Sequence, residues 1–123
     1  MSLNDIELKG QTAEENGRSF KKLKVKEFLD TFEDYFRDRG FVIKKKEDSV
    51  RAAYETLHFK AFTDDSDNIF IMKGKEQIAS ISVNDKSLRE SIKHESSLFY
   101  YFEKDLVHPF DSPLSVLNSI FNA

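Results

Sequence analysis

The sequence contains no cysteine and no tryptophan, and it has only four glycines and two prolines in 123 residues. The absence of cysteine excludes disulfides, thiolate catalysis and cysteine-ligated zinc or iron–sulfur sites. The few glycines do not form a phosphate-binding loop, and neither a dinucleotide fingerprint nor a nucleophile elbow occurs. We therefore expect no cofactor, no metal and no enzymatic activity. A small enzyme whose site is assembled from ordinary carboxylates is the alternative.

Long hydrophobic runs are also missing. No stretch approaches the roughly 18 apolar residues that a membrane-spanning helix requires, and the first residues lack the apolar core of a signal peptide. Small secreted proteins normally carry disulfides, so we expect a cytoplasmic protein without a membrane partner. The net charge of −3 gives no strong overall attraction for polyanions. The content of lysine, isoleucine, phenylalanine and asparagine is typical of AT-rich genomes, such as those of many bacteria and phages.

Aromatic residues are abundant: twelve phenylalanines and four tyrosines supply much of the apolar surface that folding can bury. The length suits one hydrophobic core. We interpret residues 1–19 as a flexible or loosely docked arm and residues 20–123 as a single α+β domain.

Two helices are predicted at the ends of this domain. The first is an amphipathic helix of about 15 residues, followed by Gly40 where a helix C-cap belongs. The second is a short helix that begins at Pro113, with Ser112 as its N-cap. The apolar face of the first helix is formed by residues at spacings of three and four, namely Val25, Phe28, Leu29, Phe32, Tyr35 and Phe36.

Between these helices the hydrophobic period changes to two, which is typical of strands. Four strands are predicted in the segments FVIKKKE, AAYETLHFKAFT, IFIMK and QIASISV, joined as an antiparallel meander. In the second segment, one face is predicted to carry Ala53, Leu57, Phe59 and Ala61. The segment TDDSDN is interpreted as a hairpin turn, because it lacks the glycine and the distal glutamate of a calcium-binding EF-hand loop.

A middle helix is predicted after Val83, where Ser87 and Glu90 fit a capping box. Residues 95–106 allow two interpretations. Apolar spacings of three and four fit a continuing helix, whereas the aromatic run after two serines fits a strand, and we prefer a helix to about His94 followed by a strand.

The predicted fold class is α+β: a mainly antiparallel sheet of four to five strands, with an N-terminal amphipathic helix, a middle helix and a short C-terminal helix packed mostly on one face. This order resembles that of small secretion-chaperone-like folds. No motif in the sequence assigns residue roles through that resemblance.

Five large apolar residues follow one another between two of the histidines: Leu98, Phe99, Tyr100, Tyr101 and Phe102. They cannot all face one side of a single element, so another part of the chain or another molecule must cover some of them. Tyrosine is enriched at protein interfaces. The leading hypothesis is a non-enzymatic protein-binding module, adaptor or chaperone-like, that uses this aromatic surface or a sheet edge. Its partner is another protein or a second copy in a homodimer.

The histidines are interpreted as unrelated surface or hydrogen-bonded residues, because His58, His94 and His108 lack the spacing of metal ligands.

Lysine clusters suggest the alternative, a nucleic-acid-associated regulator. If the first helix runs antiparallel to the first strand, two clusters meet in one phosphate-contacting patch. Acidic residues on the polar face of the same helix argue against nucleic acid, which we do not favour. The candidate phosphate contacts are Lys21, Lys22, Lys24, Lys26, Lys44, Lys45 and Lys46.

Overall fold

The computed structural model describes residues 13–83, 99–103 and 106–122. These residues form two helices and one antiparallel sheet of seven strands, in which each strand pairs with its neighbours in sequence. The α+β class is confirmed, but the predicted count of four to five strands is wrong. The helices are α1 (Ala13–Arg37) and α2 (Pro113–Phe121). The strands are β1 (Val42–Lys46), β2 (Ser49–Tyr54), β3 (Leu57–Thr63), β4 (Ile69–Lys73), β5 (Glu76–Val83), β6 (Phe99–Glu103) and β7 (Leu106–Phe110).

Helix α1 begins at Ala13, inside the segment predicted as an arm, and its end has the predicted glycine cap. Gly40 has a φ of 86°, and its amide donates to the Arg37 carbonyl at 3.0 Å. The next amide, of Phe41, donates to the Phe36 carbonyl at 3.0 Å. These two bonds form a Schellman motif, and the rings of Phe36 and Phe41 pack with centroids 4.9 Å apart. The motif ends the helix and directs the chain into β1.

The sequence pattern missed two strands: it merged β2 and β3 into one, and it did not predict β7. The segment predicted as one strand from Ala52 to Thr63 is divided by a two-residue turn at Glu55 and Thr56, and Glu55 has a φ of 53°. This turn lacks the glycine or asparagine that usually marks a hairpin. Ala53 therefore pairs with His58 and lies on the face opposite to Phe59, contrary to the prediction.

The described part of the aromatic run, from Phe99 to Phe102, is a strand in the structure, as predicted. Phe99 pairs with Val83 of β5, and Phe102 pairs with Val107 of β7. The predicted middle helix and Leu98 lie outside the described residues.

The core lies between the helices and one face of the sheet. Four small or branched residues, one from each of β2 to β5, form a continuous row across it: Val50, Ala61, Ile71 and Ala79. Phe28 of α1 packs against Phe99 with ring centroids 6.0 Å apart, and Phe121 of α2 packs against Phe59 at 5.2 Å. Each fully buried phenylalanine contributes about 1.5–3 kcal/mol through burial. Because side chains alternate along each strand, the other half of the strand residues lies on the opposite face, which we call the open face.

The turn between β3 and β4 is the predicted hairpin turn TDDSDN. One carboxylate oxygen of Asp64 accepts hydrogen bonds from the amides of Ser66 at 2.9 Å and Asn68 at 3.0 Å. These bonds lower the pKa of Asp64, with the Asn68 amide as the largest cause. The carboxylate of Asp64 therefore stabilises the turn. Within the described ranges, no helix is long and apolar enough to cross a membrane.

Candidate functional site

Three cations stand side by side on the open face of the sheet. Lys44 of β1 pairs with Arg51 of β2, and Arg51 pairs with Lys60 of β3. Paired residues share a face, and neighbouring strands are about 4.8 Å apart, so the three side chains form one line perpendicular to the strands. On β4 the line ends at Met72, which pairs with Lys60. We call Lys44, Arg51 and Lys60 the cation row.

Among the residues that the structure describes, the cation row has no acidic partner. None of the ion pairs between described residues includes Lys44, Arg51 or Lys60. Like charges directly opposite each other on neighbouring strands destabilise a sheet by about 0.2–1 kcal/mol per pair. We therefore expect the row to lower the stability of the sheet and a negatively charged ligand to relieve the repulsion.

Apolar side chains border the cation row on both sides. Two residues further along the strands, the rings of Phe62 and Phe70 pack with centroids 5.4 Å apart. The ammonium of Lys60 lies 5.1 Å from the centroid of the Phe62 ring. On the other side are Ala53 and Val42, and Val42 is 66% exposed. The open face thus combines positive charge with apolar contact surface.

The cation row and the apolar residues Val42, Ala53 and Phe62 line a groove of about 770 Å³ on the open face, which we call the basic groove. Lys75, at the turn between β4 and β5, adds a further cation at its end. No described carboxylate lines the groove. The lining residues are Val42, Lys44, Arg51, Ala52, Ala53, His58, Phe59, Lys60, Phe62, Met72, Gly74 and Lys75.

The aromatic run of the predicted site is divided between the two faces. Phe99 is fully buried in the core, and Tyr101 is half-buried beside His108, with ring centroids 5.7 Å apart. Burial raises the pKa of the Tyr101 hydroxyl, and the nearby Glu103 carboxylate adds to the effect. Tyr100 and Phe102 alternate onto the open face, where Phe102 is 38% exposed. Half of the described run is thus internal packing, and the other half extends the apolar border of the open face.

The lysines predicted as one patch fall on different surfaces. Lys45 points toward α1, where its ammonium lies 2.9 Å from a carboxylate oxygen of Glu33 and 3.5 Å from one of Asp30. Its neighbours Lys44 and Lys46 alternate onto the open face. The triplet of lysines is therefore divided, and Lys45 is an ion-pairing residue rather than a free cation.

The lysines of α1 lie among acids. Lys24 pairs with Glu27 at 3.1 Å. Lys22 and Lys26 line a second cleft together with Lys45 and Lys46, as expected for a helix antiparallel to β1. That cleft also contains four carboxylates: Asp30, Glu47, Asp48 and Asp67. The second cleft has mixed charge, and Lys21 is not among the residues that line it.

Sequence reasoning missed Arg51 and Lys60, the two cations that join Lys44 in the row. They are nine positions apart in sequence, and each is isolated among apolar neighbours. The available signal was the alternation in β2 and β3, which places both residues on the polar face once the turn at Glu55 is recognised.

The two outer strands of the sheet are poor templates for an added strand. β1 carries Lys44, Lys45 and Lys46, and lysines on an edge strand discourage pairing with another chain. β7 contains Pro109, which has no amide to donate. The open face is therefore the better candidate for binding than a sheet edge.

His58 lies in the basic groove, whereas His108 lies on the face toward the helices. His94 is outside the described residues, within which no three His, Asp or Glu side chains are arranged to hold a metal ion. Comparison of the chain with protein-family models, with curated proteins and with solved structures gives no match.

Proposed function

We propose that the protein is a non-enzymatic binding module, adaptor or chaperone-like, whose basic groove holds an acidic and partly apolar segment of a partner protein. The observation that supports this function is the cation row, which has no acidic partner in the described part of the chain and is bordered by apolar side chains. Cysteine is absent, so the module is suited to the cytoplasm, where disulfides are rare.

The groove provides two kinds of interaction for such a segment. Lys44, Arg51 and Lys60 offer charged donors to carboxylates, and charge-assisted hydrogen bonds are about twice as strong as neutral ones. Val42 and Phe62 offer apolar surface next to these donors. Apolar contact excludes water and thereby strengthens the neighbouring charge pairs. A segment with both acidic and apolar side chains gains from both effects.

Single-stranded nucleic acid is a second candidate, favoured by the position of Phe62 and Phe70 beside the cation row. Aromatic rings next to cations are how many proteins bind single strands, with bases stacked on the rings. One observation favours a protein segment instead: part of the groove wall is aliphatic, with Val42, Ala53 and Met72, which suits side chains better than phosphates.

Fluorescence anisotropy with labelled probes tests this function. The probes are a peptide of alternating glutamate and leucine, a peptide of alternating lysine and leucine, and an oligothymidylate. We expect the acidic peptide to bind, with an affinity that falls as salt is raised. The proposal is wrong if the acidic peptide binds no better than the basic one, and nucleic acid replaces it if oligothymidylate is the preferred probe.

Two double variants locate the binding surface. Arg51→Gln with Lys60→Gln removes two charges of the cation row, and we expect the affinity for the acidic peptide to fall at least tenfold. Lys22→Gln with Lys26→Gln removes the same number of charges from α1 and should leave the affinity within about twofold. Equal losses in both variants would show that only overall charge matters and would contradict a specific groove.

A further inference from the structure

The outer side of α1 carries a line of acidic side chains opposite to the core. Four carboxylates follow one another at spacings of three and four residues, which places them on one side of the helix: Glu27, Asp30 and Asp34 within α1, and Asp38 directly after its end. The buried residues of α1, such as Phe28 and Phe32, lie on the other side. We call these four residues the acidic stripe.

Two carboxylates of the acidic stripe have no ion-pair partner among the described residues. Glu27 pairs with Lys24, and Asp30 lies 3.5 Å from Lys45. Asp34 and Asp38 are exposed, and no ion pair between described residues includes either of them. Within the described ranges, the molecule therefore presents carboxylates without an ion-pair partner at the end of α1 and cations without one on the open face, with the sheet between the two surfaces.

This arrangement prevents the two surfaces of one chain from meeting each other. α1 contacts the buried face of the sheet, and the basic groove lies on the opposite face. A carboxylate of the acidic stripe can reach a cation row only in another molecule. Charge complementarity therefore identifies an occupant for the groove within this same sequence.

We infer that the acidic stripe of a second copy of this chain occupies the basic groove, so that the protein associates head to tail. The inference rests on the proposed function, because it takes the groove to be a site for an acidic protein segment and names that segment.

The dimensions of the two lines agree. From Asp30 to Asp38 the helix rises about 12 Å, at 1.5 Å per residue. The cation row spans two strand spacings, about 10 Å between the backbones of Lys44 and Lys60. Lysine and arginine side chains are long enough to make up the difference. An extended segment would space the same number of alternate carboxylates over about 13–14 Å, which matches less well.

The two lines also end alike. Beyond Lys60, the row on the open face ends at Met72. Beyond Glu27, the line on α1 continues to Leu23, which is 68% exposed. Each line thus ends in an apolar side chain, after three cations in the row and after four carboxylates in the stripe. Leu23 is not among the described residues that form the core or pack against it, and a neighbouring copy would cover it.

The symmetry of the contact determines the kind of assembly. The two surfaces lie on opposite faces of the molecule, so one partner cannot occupy both at once, and the contact is heterologous rather than the self-complementary interface of a two-fold dimer. Repetition of a heterologous contact gives open chains or closed rings. We expect species that grow in multiples of 14.3 kDa as concentration rises and that dissociate when salt screens the charges.

Sedimentation velocity on four samples tests the inference: the unaltered chain, a groove variant, a stripe variant and an equal mixture of both variants. The groove variant is Arg51→Gln with Lys60→Gln, and the stripe variant is Asp34→Asn with Asp38→Asn. Each variant alone should sediment as a monomer, because each lacks one of the two surfaces. The mixture should form a 1:1 dimer and nothing larger, because one intact groove meets one intact stripe.

Urea denaturation of each variant at low concentration checks that it is folded. Self-association that survives both double variants would overturn the inference, as would an unaltered chain that stays monomeric at low salt and high concentration. If the unaltered chain is monomeric but still binds the glutamate–leucine peptide, the proposed function stands and only the self-association is wrong. If neither occurs, both are wrong.

Discussion

The carboxylate of Glu33 on α1 lies 2.9 Å from the ammonium of Lys45 on β1, and the Glu33 side chain is only 10% exposed. The guanidinium of Arg37, one turn further along α1, contacts the same carboxylate. The hydrogen bond from Lys45 is the largest cause that lowers the pKa of Glu33; burial opposes it, and Arg37 adds to it. The same bond raises the pKa of Lys45. This ion pair attaches the first strand of the sheet to the helix that covers the core.

The first prediction concerns the pH dependence of this ion pair. A carboxyl with a lowered pKa in the folded state stabilises the fold above its unfolded pKa, near 4.5, and loses that contribution as pH falls through the folded value. We expect Glu33→Gln to lower the free energy of unfolding by about 1 kcal/mol at neutral pH, since Lys45 is half exposed and solvent weakens the pair. Below pH 4.5 the deficit should shrink.

Urea denaturation at pH 7 and at pH 3.5 measures this difference. Glu76→Gln is the matched control, because Glu76 is exposed and no ion pair between described residues includes it. A deficit for Glu33→Gln that is constant across this pH range would show that the side chain acts through shape rather than charge.

The second prediction separates the two faces of the aromatic strand β6. Phe99→Ala should lower the free energy of unfolding by about 3–5 kcal/mol, because it leaves a cavity next to Phe28 in the core. Phe102→Ala should lower it by less than about 1 kcal/mol, because that ring is 38% exposed on the open face. Chemical denaturation of the two variants measures both values. Similar large losses would show that the open face is covered in the native protein.

The third prediction concerns the cap that ends α1. Gly40→Ala should lower the free energy of unfolding by about 1 kcal/mol, because its φ of 86° disfavours a side chain. The added methyl group would meet only Tyr54, at 4.0 Å, so the cost is conformational and not steric. Gly74→Asn is the control: its φ of 59° is one that asparagine tolerates, and nothing lies within 4 Å. Thermal unfolding of both variants measures the difference, and equal losses would contradict it.

The fourth prediction is that the cation row costs stability. Arg51→Gln removes the central charge between Lys44 and Lys60, and we expect it to raise the free energy of unfolding by a few tenths of a kcal/mol at low salt. The gain should vanish at high salt, where the repulsion is screened. Binding of the acidic peptide should weaken in the same variant. A loss of stability at low salt would mean that Arg51 is a packing residue, and it would weaken the functional interpretation of the row.

Local patterns predicted the parts of the fold that depend on neighbouring residues. The apolar spacing from Val25 to Phe36 gave the buried side of α1, and Gly40 gave its end. The alternation of apolar and polar residues predicted most of the strands, because successive side chains of a strand point to opposite faces of the sheet. The turn at Glu55 and Thr56 was missed because its residues carry no strong turn preference, and the pairing of β2 with β3 holds that turn in place.

The candidate site could be predicted only in part. Lys44 and Phe102 were identified from clusters in the sequence, and both lie on the open face. Lys45 was grouped with Lys44, yet the alternation of β1 turns it toward Glu33. The groove itself depends on strand register, which a cluster of neighbouring lysines does not reveal.

The sequence by itself determined that this is an α+β protein with an aromatic core, no cysteine chemistry and one strongly amphipathic helix. Composition and periodicity are properties of the chain, and they require no knowledge of which strands are neighbours. Only the tertiary structure decided that Lys44, Arg51 and Lys60 form one row and that the acidic stripe lies beyond the opposite face. Both results follow from antiparallel register, which brings residues distant in sequence to a spacing of about 4.8 Å, where charges act on one another and on a common partner.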